Sequence, residues 1–169
     1  MNHEKLPFVS GEQQVQGLPP CKELEEVTAN FHKNVLITLS NAGVPIILSE
    51  SRTKGKARIE QKVDKDPKWP LVDIHGARVV LEDEHIDNAV QALQRKWPTP
   101  RNLFWGPSSI QYPIFATSTK FDQPERLIYE ATHMRVHIPD GARIAEIQLQ
   151  TPEQHLIAEL ARPYFEQSR

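Results

Sequence analysis

The stretch YEATHMRVHIPDGARIAEIQLQT, residues 129–151, decides the fold. Two segments of alternating character, Tyr129 to Ile138 and Arg143 to Leu149, flank Pro139-Asp140-Gly141. Proline presets φ there, and aspartate and glycine tolerate a tight turn, so the pattern predicts a β-hairpin. In the second arm Glu146, Gln148 and Gln150 project to one side while Ile147 and Leu149 face the other, as a strand buried on one face requires. In the first arm Tyr129 and His133 lie four positions apart and so share a face, about 13 Å along the strand.

Toward the C-terminus, Leu156, Ile157, Leu160 and Ala161 fall on helical spacing, with Thr151 as N-cap ahead of Pro152. This predicts a final helix over Pro152 to Phe165 that covers the sheet. Toward the N-terminus, the proline-rich run from Pro98 to Pro113 predicts a long irregular loop. Before it, Val79 to Leu81 reads as a strand, and Ile86, Ala89, Val90, Leu93 and Trp97 form one face of a helix. Val44 to Leu48 reads as a short buried strand. Leu24, Val27, Phe31, Val35 and Leu39 mark a helix that Gly43 ends with a left-handed cap. Residues 1–20 mix Gly, Gln, Pro and Ser without hydrophobic period and are expected to be a mobile or peripherally packed arm. Residues 21–169 then make a single domain of the α/β (α+β) class, a mixed, mostly antiparallel sheet flanked by helices.

Composition agrees and narrows the function. A 169-residue chain that is 38% hydrophobic and 25% charged builds one core. Twenty basic against twenty-two acidic residues exclude a global polycation, so any phosphate affinity comes from local clustering. The single cysteine, Cys21, allows no internal disulfide and no cysteine zinc cluster, which favours a reducing, cytoplasmic setting. No apolar run reaches membrane-spanning length, and the first twenty residues lack the apolar block of a signal peptide.

Four clusters carry candidate chemistry, and each also has a plainer reading. Arg52, Thr53 and Lys54 with Arg58 and Lys62 suit a phosphate site, although a charge run more often decorates a solvated face. Asp73-Ile74-His75-Gly76-Ala77-Arg78 offers a metal ligand and a stacking guanidinium, or equally a turn-forming Asp and a surface Arg. Tyr129 and His133 suit a nucleotide pocket or an ordinary half-buried sheet face. Glu146 places a carboxylate on the polar side of its strand, and with Asp73 it would make a pair of hard oxygen ligands of the kind magnesium takes.

In order and spacing the four clusters resemble the synthetase domain of the RelA/SpoT family, which makes the alarmones ppGpp and pppGpp. Arg52, Lys54 and Lys62 match the family's basic motif, with Arg58 where serine is usual. Asp73, Gly76 and Arg78 match Asp-x-x-Gly-x-Arg in full. Tyr129 and His133 match Gly-Tyr-Arg-x-x-His, with Ile128 for glycine and Glu130 for arginine. Glu146, Gln148 and Thr151 match Glu-x-Gln-x-Arg-Thr, with Gln150 for arginine, and Gln154, His155, Ala158 and Glu159 are similar to the family's closing helix. The similarity spans roughly Val44 to Glu159.

The resemblance implies a nucleotidyltransferase-like synthetase fold and a pyrophosphokinase of the GTP diphosphokinase type, moving pyrophosphate from ATP to the ribose 3′-hydroxyl of GDP or GTP with Mg2+. It places Arg52 and Arg78 against the adenine, and Lys54, Lys62 and Arg58 around the triphosphate. Asp73 and Glu146 become magnesium ligands, with Glu146 also the base. Tyr129, His133 and Gln148 become the acceptor side. Glu130 and Gln150 remove two cations there, which opens the acceptor to an adenosine nucleotide or the 3′ end of tRNA, as in toxin-like members. Small members are often homo-oligomers. No His-Asp dipeptide marks a partner hydrolase domain. Two alternatives stand beside this reading: a catalytically inactive nucleotide-binding module of the same fold, and an RNA-binding protein using the basic stretch with Trp97, Phe104 and Trp105.

Overall fold

Helix α1 (Cys21–Asn41) buries one stripe, Leu24, Thr28, Phe31, Val35 and Leu39. It ends where Gly43 adopts φ 69°, with Val44 N–H bonding Leu39 O and Gly43 N–H bonding Ser40 O, both at 3.0 Å. That is a Schellman cap, and the positive φ is why glycine stands there. The computed structural model describes residues 18, 20–65, 74–97, 114–115, 131–138 and 143–167. Further elements are β1 (Leu48–Thr53), α2 (Lys56–Lys65), β2 (His75–Val80), a 3₁₀ turn (Asp83–His85), α3 (Ile86–Lys96), β3 (Ile114–Phe115), β4 (Thr132–Ile138), β5 (Arg143–Gln150) and α4 (Pro152–Gln167).

The described strands form one sheet in the order β1-β2-β5-β4-β3. Only the β2–β5 pair is parallel, so the sheet is mixed and mostly antiparallel, as expected. The hairpin is present as β4 and β5, paired from Thr132↔Leu149 to Ile138↔Arg143, while the expected turn at 139–142 lies outside the described residues. Parallel neighbours need a crossover, and here the chain between β2 and β5 also supplies α3, β3 and β4.

Alternation gives the sheet two unlike faces. One carries Ala77, Val79, Met134, Val136, Ala145, Ile147 and Leu149, which form the main core with Phe31, Val35 and Leu39 of α1 and Ala89, Val90 and Leu93 of α3. Burying each of the Val, Leu, Ile, Phe and Met side chains among them contributes roughly 1.5–3 kcal/mol. The other face holds polar groups.

Several expectations shift. The strand expected at Val44 to Leu48 begins only at Leu48 and runs to Thr53. Val44 and Ile46 pack into the core as a bridge after the helix cap, and pairing with β2 starts at the Ile47 N–H to Val80 O bond. The basic stretch contains a helix, α2, anchored by buried Ile59 and Val63, which join Leu24 and Ile74 in a second small core; Leu18, from the expected N-terminal arm, packs against it. Strand β2 begins earlier than Val79. The final helix forms, capped reciprocally by Thr151 and Gln154 at 3.0 and 3.2 Å. Its leucines do not cover the sheet, however, because Leu156 and Leu160 are 59% and 53% exposed while Ala158 is buried. Trp97, offered for base stacking, packs on Phe31 with ring centroids 5.6 Å apart. The expected loop at 98–113, with Phe104 and Trp105, lies outside the described residues.

Candidate active site

The polar face is set by register. Arg52 of β1 pairs with Gly76 of β2, Gly76 with Glu146 of β5, and Glu146 with Arg135 of β4. The next row is Glu50, Arg78, Gln148 and His133. Directly opposed residues share a face, so both rows point the same way. With strands about 4.8 Å apart, Arg52 and Glu146 are rooted about 10 Å from each other. Gly76 lies between them, and a Cβ there would meet the Arg52 carbonyl at 3.5 Å. Its missing side chain leaves the floor open between cation and carboxylate.

Glu146 is the centre of this face. Its Oε1 accepts a hydrogen bond from His133 Nδ1 at 3.2 Å, and its Oε2 accepts one from Gln148 Nε2 at 3.0 Å. A carboxylate only accepts, so His133 carries its proton on Nδ1. The Arg135 Nε lies 4.0 Å from Oε1. Burial pushes the Glu146 carboxyl upward, but the hydrogen bond and charge of His133, the Gln148 hydrogen bond and the Arg135 charge outweigh it and hold the group below the usual carboxylate range. Glu146 is therefore ionised at neutral pH, with 17% of its side chain exposed.

Arg78 is held in three directions. Its Nη1 donates to Glu159 Oε1 of α4 at 2.9 Å and to Glu50 Oε2 at 3.4 Å, and its Nε donates to Gln148 Oε1 at 3.5 Å. Gln148 thus links the guanidinium to Glu146 through one amide.

A buried polar chain fixes the end of β1 and the start of β2 against α1. Thr53 Oγ1 donates to Thr28 Oγ1 at 2.8 Å, and Thr28 donates to Leu24 O at 2.9 Å. The Thr28 proton being spent, His75 Nδ1 supplies the hydrogen of their 2.7 Å contact. Together with the Lys54 N–H to Ile74 O bond of 2.8 Å, this sets where Arg52 and Lys54 leave the sheet. Buried polar groups satisfied in this way act as a rigid mount.

The sheet therefore brings together Glu146, His133, Gln148, Arg78 and Arg52. Arg58 and Lys62 are exposed on α2, four residues apart on one stripe. Asp73 and Tyr129 lie outside the described residues. Sequence reading missed Arg135, whose signal was its position two residues beyond His133 on the same strand face, and it missed Glu50 and Glu159 as partners of Arg78. Among the described residues no group of three or more His, Cys, Asp or Glu gathers to hold a metal. Magnesium needs few protein oxygens, and the ionised Glu146 is a fitting one. A depression of about 420 Å3 bordered by Asn34, Thr38, Asn41, Arg95 and Lys96 lies on the helix side, across the sheet from Glu146. No helix of the described residues is long and apolar enough to cross a membrane.

Residues 51–164 match the family model described as "Region found in RelA / SpoT proteins". No curated protein matches the chain in sequence. Among solved structures, a GTP pyrophosphokinase family protein from Streptococcus pneumoniae is similar at 14% identity and TM-score 0.52, over 86% of this chain and 74% of that one. The small alarmone synthetase 2 of Bacillus subtilis is similar at 20% identity and TM-score 0.49, over 86% and 79%. The Streptococcus protein shares the fold.

Proposed function

The chain belongs to the RelA/SpoT family, and from that premise we propose that it is a nucleotide pyrophosphokinase of the (p)ppGpp synthetase type. The acceptor 3′-hydroxyl oxygen attacks the β-phosphorus of ATP, the bond from that phosphorus to the α,β-bridging oxygen breaks, AMP leaves with the electron pair, and the hydroxyl proton is taken up at the active site. The observation that supports this reading is a part-buried, ionised carboxylate, Glu146, on a face where Arg52 and Arg78 stand on one flank and His133 on the other.

Each residue then has a task. Arg52 and Arg78 offer planar guanidinium groups for the donor base. Lys54, Arg58 and Lys62 lead from the same flank toward the triphosphate. His133 and Gln148, with Tyr129, make the acceptor side. Glu146 orients the 3′-hydroxyl by accepting its hydrogen bond. Its depressed pKa makes it a weak proton sink, so orientation and negative charge are its larger contribution. Magnesium, bound through Glu146 and Asp73, would offset charge on the phosphate oxygens.

A second reading has its own observation. Gln150, where the resembled motif has an arginine, is fully buried, which suits a nucleotide-binding module that keeps its donor cations and has lost one on the acceptor side. Incubation with magnesium, labelled ATP and a panel of GDP, GTP, AMP, ADP and tRNA separates the two. Labelled AMP and a pyrophosphorylated acceptor are expected. Binding of a non-hydrolysable ATP analogue with no product from any acceptor would establish the inactive module instead.

A further inference from the structure

Strand β4 sends His133, Arg135 and His137 to the polar face at alternate positions. His133 is bonded to Glu146, whereas Arg135 has no motif to account for it. Arg135 is rooted directly opposite Glu146, with Nε 4.0 Å from Oε1, and its side chain is 24% exposed. It is therefore accessible from the face where a substrate would lie.

The position across the sheet gives it meaning. In the row Arg52, Gly76, Glu146, Arg135 the carboxylate is flanked by one arginine from β1 and one from β4. A reaction that joins two anionic nucleotides across a carboxylate needs countercharge on both flanks. Arg52 belongs to the donor flank with Lys54 and Arg78. At the end of β5, Gln150 stands where the resembled motif has an arginine, and it is fully buried. Of the β4 side chains on this face, only Arg135 is a permanent cation.

We propose that Arg135 binds the 5′-phosphates of the acceptor and sets a preference for a nucleoside 5′-polyphosphate. The inference rests on the pyrophosphokinase reading above. A guanidinium recognises phosphate by paired, charge-assisted hydrogen bonds, so its value grows with the number of phosphates it can reach.

The test is steady-state transfer from ATP to GMP, GDP, AMP and ADP with the full chain, its Arg135→Ala and Arg135→Lys variants, and tRNA as a further acceptor. Arg135→Ala should raise the KM of the diphosphate acceptor roughly 10- to 100-fold, the range for losing a hydrogen bond to a charged group. The KM for ATP should stay within about two-fold, Arg135→Lys should recover part of the loss, and the preference for diphosphate over monophosphate should shrink. Binding of a non-hydrolysable ATP analogue by calorimetry shows independently that each variant is folded. A fall in kcat with acceptor KM unchanged would make Arg135 a support for Glu146 and overturn the proposal, as would an equal rise in both KM values or activity with tRNA alone. Wild-type protein inactive toward every acceptor would instead overturn the pyrophosphokinase reading, and this inference with it.

Discussion

Glu146 shows how little of a site's chemistry resides in residue type. The same carboxylate on an exposed strand would titrate in the ordinary range, but here His133, Gln148 and Arg135 keep it ionised despite burial. Replacing it with glutamine keeps the size and an acceptor oxygen for His133 while removing the charge. Glu146→Gln is expected to lower transfer by about 10²- to 10³-fold, the range for losing one preorganised electrostatic contact to the transition state, with ATP-analogue affinity nearly unchanged. Single-turnover assays alongside calorimetry check it, and a parallel loss of ATP binding would move Glu146 to the donor site. Glu146, Gln148 and His133 were legible as candidates because strand alternation and motif spacing both marked them. Arg135 was not, because a lone arginine on a strand looks like any surface cation until the register puts it opposite a carboxylate.

At the scale of elements, α1, α3 and the β4–β5 hairpin could be read from periodicity, since each buries a full apolar stripe or face. Helix α2 could not. Ile59 and Val63 are its whole apolar content on the buried side, and charged neighbours hide a stripe two residues long. Strand β1 was displaced for a related reason: an edge strand is held by hydrogen bonds to one neighbour, so its exposed sequence has no alternation to read. Helix α4 formed where expected because its cap is local chemistry. Thr151→Ala removes the side chain that bonds Gln154 N–H and should cost about 1 kcal/mol, read as a lower urea midpoint with unchanged slope. Because α4 also carries Glu159 to Arg78, the cap holds the helix that tethers the Arg78 guanidinium. An unchanged midpoint would mean that Pro152 and packing suffice to start the helix.

For the molecule as a whole, acid should weaken the fold in two separate windows. Burial lowers the pKa of His32 and His137 from the ordinary 6.5. The unfolded chain then takes up protons first, so stability is full above about pH 6.5 and declines as pH falls toward the lower native values. Glu146, whose native pKa lies below its ordinary 4.5, contributes stability above that value and loses it only on further acidification. Urea unfolding at pH 7.5 and 5.5 should therefore show a lower midpoint at pH 5.5, and a His32→Gln/His137→Gln double variant should narrow the difference. An equal gap in the variant would assign the acid sensitivity to other groups.

The amino-acid sequence by itself determined the class of fold, the hairpin, two of the packed helices and the family, because those depend on short-range period and on residue spacing along the chain. Only the tertiary structure decided which charges meet. Arg52 and Glu146 are ninety-four positions apart in the chain, and what aligns them is the parallel pairing of β2 with β5. A one-residue slip there would turn every side chain of one strand to the other face, and register of that kind is a property of the packed sheet.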